Sequence, residues 1–155
     1  MTPEQGLNQD FLDMLRALGD AGVEFLLVGA HAMAVHGVPR ATGDIDLWVR
    51  PTPENARRVL LALRSFGAPV EAHGVGESDF AVEGTVYQLG LPPRRIDLLT
   101  QISGVGFEEG WTSRVEVTIA GRAVGVLGRD ALLKNKRAAG RDKDLVDARL
   151  LERAP

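Results

Sequence analysis

Asp44-Ile45-Asp46 stands fifteen positions after Gly29, between the apolar runs Phe25-Leu26-Leu27-Val28 and Leu47-Trp48-Val49. An acid–apolar–acid triplet at the entrance to a buried run constrains what this chain can fold into more than any other segment. If both acids lie on one strand, the side-chain period of two turns their carboxylates to the same face. Their Cα atoms are then roughly 6–7 Å apart. That is close enough to share a divalent cation and crowded for two charges without one. An exposed strand end with two solvated acids is the competing reading, and the triplet alone does not separate the two.

The chain has 155 residues, 45% of them apolar, enough for one ordinary domain over residues 1–155 with a real core. Having no cysteine, it has no disulfide, thiolate metal site or cysteine nucleophile, which fits a reducing compartment. No run reaches membrane-spanning length, and Met1-Thr2-Pro3-Glu4-Gln5 has neither the basic nor the apolar segment of a signal peptide. The expected location is cytoplasmic, with no membrane partner. A net charge of −3 argues against coating nucleic acid through overall charge and leaves room for a local basic patch.

Thr2-Pro3-Glu4-Gln5 reads as a helix start, and Phe11, Leu12, Leu15 and Leu18 keep helical spacing until Gly19 and Gly22. Residues 23–28 have the continuity of a strand buried on both faces. Gly29 leads into a short helix over 30–36, and 44–50 is the next strand. Thr52-Pro53-Glu54 opens a helix with Val59, Leu60 and Leu63 on its buried stripe, ending before Gly67. From Pro69 the texture changes to strands and turns: 85–89, 95–99, and a hairpin of 115–119 with 123–127 across Gly121-Arg122. Helix returns over 129–139 and, after Gly140, over 142–153. The expected fold is α+β: a mixed β-sheet with helices packed on it and a helical C-terminal end.

Three elements then carry chemistry. At the strand–Gly29–helix junction, backbone N–H groups can hold a phosphate, and the missing side chain lets it approach. Asp44 and Asp46 are the second element. Asp97, inside Arg95-Ile96-Asp97-Leu98-Leu99, is the third. An aspartate there is costly to bury without a metal or a donor, and Arg94-Arg95 beside it offers the donor alternative. Three carboxylates on neighbouring strands suit two-cation catalysis, with Mg²⁺ favoured by all-oxygen ligands.

Val28-Gly29-Ala30, Thr42-Gly43-Asp44-Ile45-Asp46-Leu47-Trp48-Val49 and the later Asp97 resemble the polymerase-β-like nucleotidyltransferase superfamily, with its Gly-Gly or Gly-Ser turn, D-x-D strand and third acid. The run from Val28 to Asp46, with its His36-Gly37 and Arg40-Ala41-Thr42, looks like the small bacterial nucleotidyltransferases of abortive-infection and type IV toxin–antitoxin systems. Leu133-Lys134-Asn135-Lys136-Arg137-Ala138-Ala139-Gly140-Arg141-Asp142-Lys143-Asp144-Leu145 resembles that group's C-terminal helix pair. The resemblance implies a nucleotidyltransferase-like fold and Mg²⁺-dependent transfer of a nucleoside monophosphate from a nucleoside triphosphate to an acceptor hydroxyl. The acceptor would be tRNA or protein, with a cognate toxin or antitoxin as partner. It also implies Asp44, Asp46 and Asp97 as catalytic metal ligands, with Asp97 as base on the acceptor hydroxyl. Gly29 and Ala30 would hold phosphates, and Lys136, Arg141 and Lys143 would complete that binding. The chain departs from the pattern at Ala30, where the family has Gly or Ser: a hydroxyl contact is lost while the N–H remains. That departure motivates a catalytically weak or inactive nucleotide-binding module as an alternative. A small-molecule nucleotidyltransferase of the aminoglycoside type is another.

The remaining candidates are read more plainly. Arg40 and Thr42 belong to the loop entering the acid strand, and Arg40 either meets phosphates or pairs with Asp44. His31 and His36 are not on one helical face as an i, i+4 metal pair would be, so each is a capping or packing histidine. Trp48 and Trp111 are packing residues. Lys134, Lys136, Arg137, Arg141 and Lys143 form either a solvated helix face or a binding patch. Asp130, Asp142, Asp144 and Asp147 sit where acids favour a helix without chemistry, Asp144 being the most suspect because it falls within the family-like pattern.

Overall fold

The computed structural model describes residues 7–155. Helix α1 (Gln9–Asp20) is capped by Asn8, whose Oδ1 accepts from the Phe11 N–H at 3.0 Å, and it buries Phe11, Met14, Leu15 and Leu18. The start expected at Thr2-Pro3-Glu4-Gln5 lies outside the described residues. Strand β1 (Phe25–Val28) is buried throughout and runs straight into α2 (Gly29–Val35). Strand β2 (Asp44–Val49) is followed by α3 (Pro53–Phe66), which has Thr52 as its cap, Pro53 in its first turn and left-handed Gly67 as its stop. These elements fall where the sequence places them.

Then come α4 (Glu77–Phe80), β3 (Val86–Leu89), β4 (Arg95–Leu99), α5 (Phe107–Thr112), β5 (Val115–Ile119), β6 (Arg122–Val126), α6 (Arg129–Ala139) and α7 (Asp142–Arg153). Among the described residues no helix is long and apolar enough to cross a membrane. Helices α4 and α5 interrupt a stretch expected to hold only strands and turns. The first is a single turn, closed by Asp79, whose Oδ2 accepts from the Gly76 N–H at 2.8 Å. The second carries a glycine in its middle and is made by tertiary packing. A Cβ at Gly110 would lie 2.9 Å from Trp48 Cζ3, so only glycine lets α5 settle on that indole. Phe107 of α5 meets Trp48 edge to face at 4.9 Å.

The hairpin turn also differs from expectation. Ile119 pairs with Arg122, so Ala120-Gly121 forms the two-residue turn, and Arg122 already belongs to β6. Both turn residues have positive φ, 51° and 80°, the geometry that matches the twist of a hairpin. Strand β3 starts one residue late because the Thr85 N–H donates to the Thr100 hydroxyl at 2.8 Å.

The six strands form one mixed sheet in the order β3-β4-β2-β1-β6-β5. Central β2 runs antiparallel to β1 and parallel to β4. The β2–β4 register sets Asp44 beside Arg95 and Asp46 beside Asp97. Ile45, Leu47 and Val49 are fully buried, and they point to the face opposite Asp44, Asp46 and Trp48.

At the far end of β2, Asn55 fastens α3 to the sheet. Its Oδ1 accepts from the Glu24 N–H at 2.8 Å, and its Nδ2 donates to the carbonyls of Glu24 and Arg50, each at 3.0 Å. Asn55 is 2% exposed, so these groups have no water to replace it. Asn55→Ala is expected to cost about 2 kcal/mol of stability. Urea unfolding checks this as a lowered midpoint at unchanged slope.

Candidate active site

Gly29 follows β1 and begins α2 with φ of 70°. A Cβ there would lie 2.2 Å from Asp46 Oδ2, so the room a side chain would fill is taken by the Asp46 carboxylate. From sequence, that room is expected to admit a phosphate. The structure uses it first to seat an acid, because Val28 pairs with Asp46 across β1–β2 and brings the turn against it. Ala30 follows in the same turn and lines the pocket described below.

Asp44, Asp46 and Asp97 come together as the register requires, each offering a carboxylate oxygen within 4.8 Å of the others. Asp97 is 6% exposed and the other two are half-buried. Burial pushes the Asp46 carboxyl up from 3.8 to about 7, with the charges of Asp44 and Asp97 and a hydrogen bond to Asp97 adding to the rise and Arg95 opposing it. An all-oxygen donor set this crowded with like charge suits a hard divalent cation such as Mg²⁺.

Arg95 supplies the positive charge within the cluster. Its Nη2 donates to Asp44 Oδ2 at 2.5 Å and to Asp97 Oδ2 at 3.2 Å, and its Nε donates to Asp97 Oδ1 at 3.0 Å. Arg94 points away and pairs with Asp10 at 3.2 Å. The Thr42 hydroxyl donates toward Asp44 Oδ1 at 3.0 Å and accepts from the Asp44 N–H at 3.3 Å, which fixes that carboxylate as the strand begins.

A cavity of about 360 Å³ opens between this cluster and the α6–α7 end. Gly29, Ala30, Thr42, Asp44 and Asp46 line one side, and Lys136, Arg141, Lys143 and two buried acids, Asp144 and Asp147, line the other. Arg40 lines it as well and pairs with Asp147 Oδ1 at 2.5 Å, the partner replacing the Asp44 considered from sequence. Lys136, itself nearly buried, reaches Asp147 at 3.2 Å and Asp144 at 3.6 Å. Arg141 Nε donates to Asp144 Oδ2 at 2.7 Å. Burial pushes the Asp144 carboxyl up, but hydrogen bonding and charge from Arg141, with Lys136 behind, more than offset it, and it lies below its ordinary value. Lys143 has no ionic partner among the described residues.

The five-residue basic set therefore divides. Lys136, Arg141 and Lys143 face the cavity, while Lys134 pairs with Glu109 at 3.0 Å and Arg137 with Glu152 away from it. Asp147, which sequence alone presents as an ordinary helix acid, faces the cavity. Its spacing of three from Asp144 puts both on one face of α7, and that spacing is the signal that marks them as a pair. Arg95, which sequence alone presents as a donor for Asp97, also reaches Asp44. Its place two residues before Asp97, in register with the triplet, is the signal for its second partner. His36 Nε2–H donates to the Leu127 carbonyl at 2.8 Å, and His31 stands edge-on to Phe11 with burial lowering its pKa. Both histidines are packing residues, as are Trp48 and Trp111.

No family model matches the sequence, and no curated protein matches it. Solved structures do resemble it. A candidate nucleotidyltransferase from Thermotoga maritima superposes with a TM-score of 0.57 at 18% identity, over 95% of this chain and 96% of that one. ANT(2″)-Ia, in complex with adenylyl-2″-tobramycin, gives 0.54 at 18% identity, over 92% and 87%. An antigenic nucleotidyltransferase-like protein from Paracoccidioides brasiliensis gives 0.51 at 20% identity, over 92% and 73%. The likeness is one of fold, and the chain has the α+β nucleotidyltransferase-like fold that its sequence motifs led us to expect.

Proposed function

We propose that this chain is a Mg²⁺-dependent nucleotidyltransferase that moves a nucleoside monophosphate from a triphosphate to an acceptor hydroxyl. One observation carries the reading: oxygens of Asp44, Asp46 and Asp97 lie within 4.8 Å of one another, and Asp44 and Asp46 line a cavity whose other wall is cationic. Asp44, Asp46 and Asp97 would hold the metal, which supplies charge stabilisation on the phosphates and lowers the pKa of the acceptor hydroxyl. Asp97 accepts the hydroxyl proton. The acceptor oxygen then bonds to the α-phosphorus as the bond to the bridging oxygen breaks, and pyrophosphate leaves with that electron pair. Arg40, Lys136, Arg141 and Lys143 outnumber Asp144 and Asp147 across the cavity, so this wall carries net positive charge for the triphosphate tail. Thr42 holds Asp44 in place.

The runs 28–46 and 133–145 support a place among the small nucleotidyltransferases of toxin–antitoxin systems, acting on tRNA or protein in the cytoplasm beside a cognate partner. The fold likeness to ANT(2″)-Ia, solved with an adenylylated tobramycin, supports an aminoglycoside as the second acceptor class to test. Ala30 supports the third reading, a nucleotide-binding module without turnover.

Incubation of the protein with each labelled triphosphate and Mg²⁺, in the presence of RNA, protein extract or tobramycin, is expected to label one acceptor. Asp46→Asn should lower kcat/KM by about 100-fold or more. Transfer that survives this substitution, or removal of Mg²⁺ by chelation, sinks the proposal. Tight triphosphate binding by calorimetry with no transfer to any acceptor points to the binding module.

The Asp46 carboxyl gives a second test, independent of turnover. Its folded value of about 7 lies above its unfolded value of 3.8. The folded protein therefore holds the proton more tightly, and this group's contribution to stability declines as pH rises from 4 through 7. Without divalent ions, Asp46→Asn should melt higher than the parent at pH 8, with the gap closing toward pH 4. Saturating Mg²⁺ should raise the parent's melting temperature at pH 8 and leave the variant's nearly unmoved. Parallel melting curves at all pH values would refute the crowding argument.

A further inference from the structure

The strand pair β2–β4 puts four charged side chains in register on one face: Asp44 beside Arg95 and Asp46 beside Asp97. Arg95 engages Asp44 Oδ2 at 2.5 Å and both oxygens of Asp97, at 3.0 and 3.2 Å. Thr42 takes the remaining oxygen of Asp44 at 3.0 Å, and Gln88 Nε2 stands 3.5 Å from Asp97 Oδ2. Every oxygen of these two carboxylates thus has a donor from the chain itself. Thr42 and Gln88 are neutral and leave lone pairs for a cation. Arg95 is not neutral: it directs a full positive charge at the oxygens a divalent ion would take, and two cations sharing them repel each other.

We propose that Arg95 is the resident counter-cation of this cluster and that a divalent metal binds by exchanging with it. The inference rests on the metal-ligand roles assigned above to Asp44, Asp46 and Asp97. The Arg95 side chain is 30% exposed, whereas that of Asp97 is 8%. It is long and flexible, so it can swing toward solvent without opening the core. The exchange gives the cluster a way to fold with part of its charge offset and still accept a metal afterwards. It also sets the metal affinity, because the ion binds only the fraction of molecules whose Arg95 has moved aside.

Two measurements test this. Titration of Mn²⁺ by calorimetry into the parent and Arg95→Met should show a dissociation constant about tenfold lower in the variant, corresponding to a guanidinium that occupies the acids about nine-tenths of the time. In the parent, the Arg95 Nε–H, bonded to Asp97, should give an NMR signal protected from solvent exchange, and saturating Mg²⁺ should remove that protection. The second readout needs no substitution and stands even if Arg95→Met folds poorly. If the parent binds Mn²⁺, the variant binds no tighter, and the Nε–H stays protected with Mg²⁺, Arg95 is a fixed bracket for the acids. That result overturns the exchange and leaves the metal assignment standing. If neither protein binds Mn²⁺, both the exchange and the metal assignment fall. Binding by the variant but not by the parent is the exchange in its strongest form.

Discussion

Three carboxylates within 4.8 Å, half or fully buried, repel one another strongly enough that positive charge or protons must accompany them. The arrangement of the site follows from that repulsion. Arg95 lies across Asp44 and Asp97, while Asp46, the acid that Arg95 does not hydrogen-bond, is the one pushed up to about 7. The Asp46 carboxylate is packed into the space that a glycine at 29 leaves open. The cluster is therefore graded: two acids are hydrogen-bonded by one guanidinium, and the third is pushed up to about 7 by burial and its neighbours.

The opposite wall of the cavity inverts the pattern. There the buried acids Asp144 and Asp147 are matched by Arg40, Lys136 and Arg141, and Lys143 has no ionic partner among the described residues. The helix pair builds this wall through one turn. Gly140 stops α6 in a left-handed conformation, and Arg141 opens α7 with its N–H and guanidinium both bound to Asp144. Lys136, from the last turn of α6, comes back onto the same two acids. These cations are held in place by acids and line the cavity.

Legibility in the sequence followed the range of the forces involved. The triplet, the third acid and the glycine turn could be read because strand parity and local turn chemistry are written in neighbouring residues. The α6–α7 break at Gly140 and the Thr52 cap are local in the same way, and both fall where expected. Helix α5 was missed because its glycine weakens the helical signal and its stability comes from Trp48, fifty-nine positions before Phe107. The roles of Asp147, Arg40 and the second contact of Arg95 were hidden for the same reason. Each depends on a partner from a distant element, at a distance that only the packed fold sets. The hairpin turn was misplaced by one residue because Ala120 adopts a positive φ that composition alone gives no reason to assign to alanine.

A site so costly in charge needs a rigid support, and β2 supplies one through its own alternation. Its even positions, Asp44, Asp46 and Trp48, face the cavity side, and its odd positions, Ile45, Leu47 and Val49, are fully buried on the other. The apolar half anchors the strand while the polar half carries the acids, so a one-residue slip would bury two carboxylates in the core and turn three aliphatic chains onto the acid face. The register that creates the cluster is thus the register that the core enforces. Trp48 and Gly110 extend the constraint along the acid face, where the indole and α5 fit with no room for another carbon. Asp44 and Asp46 keep their spacing because the hydrophobic residues between and beyond them leave the strand one way to lie.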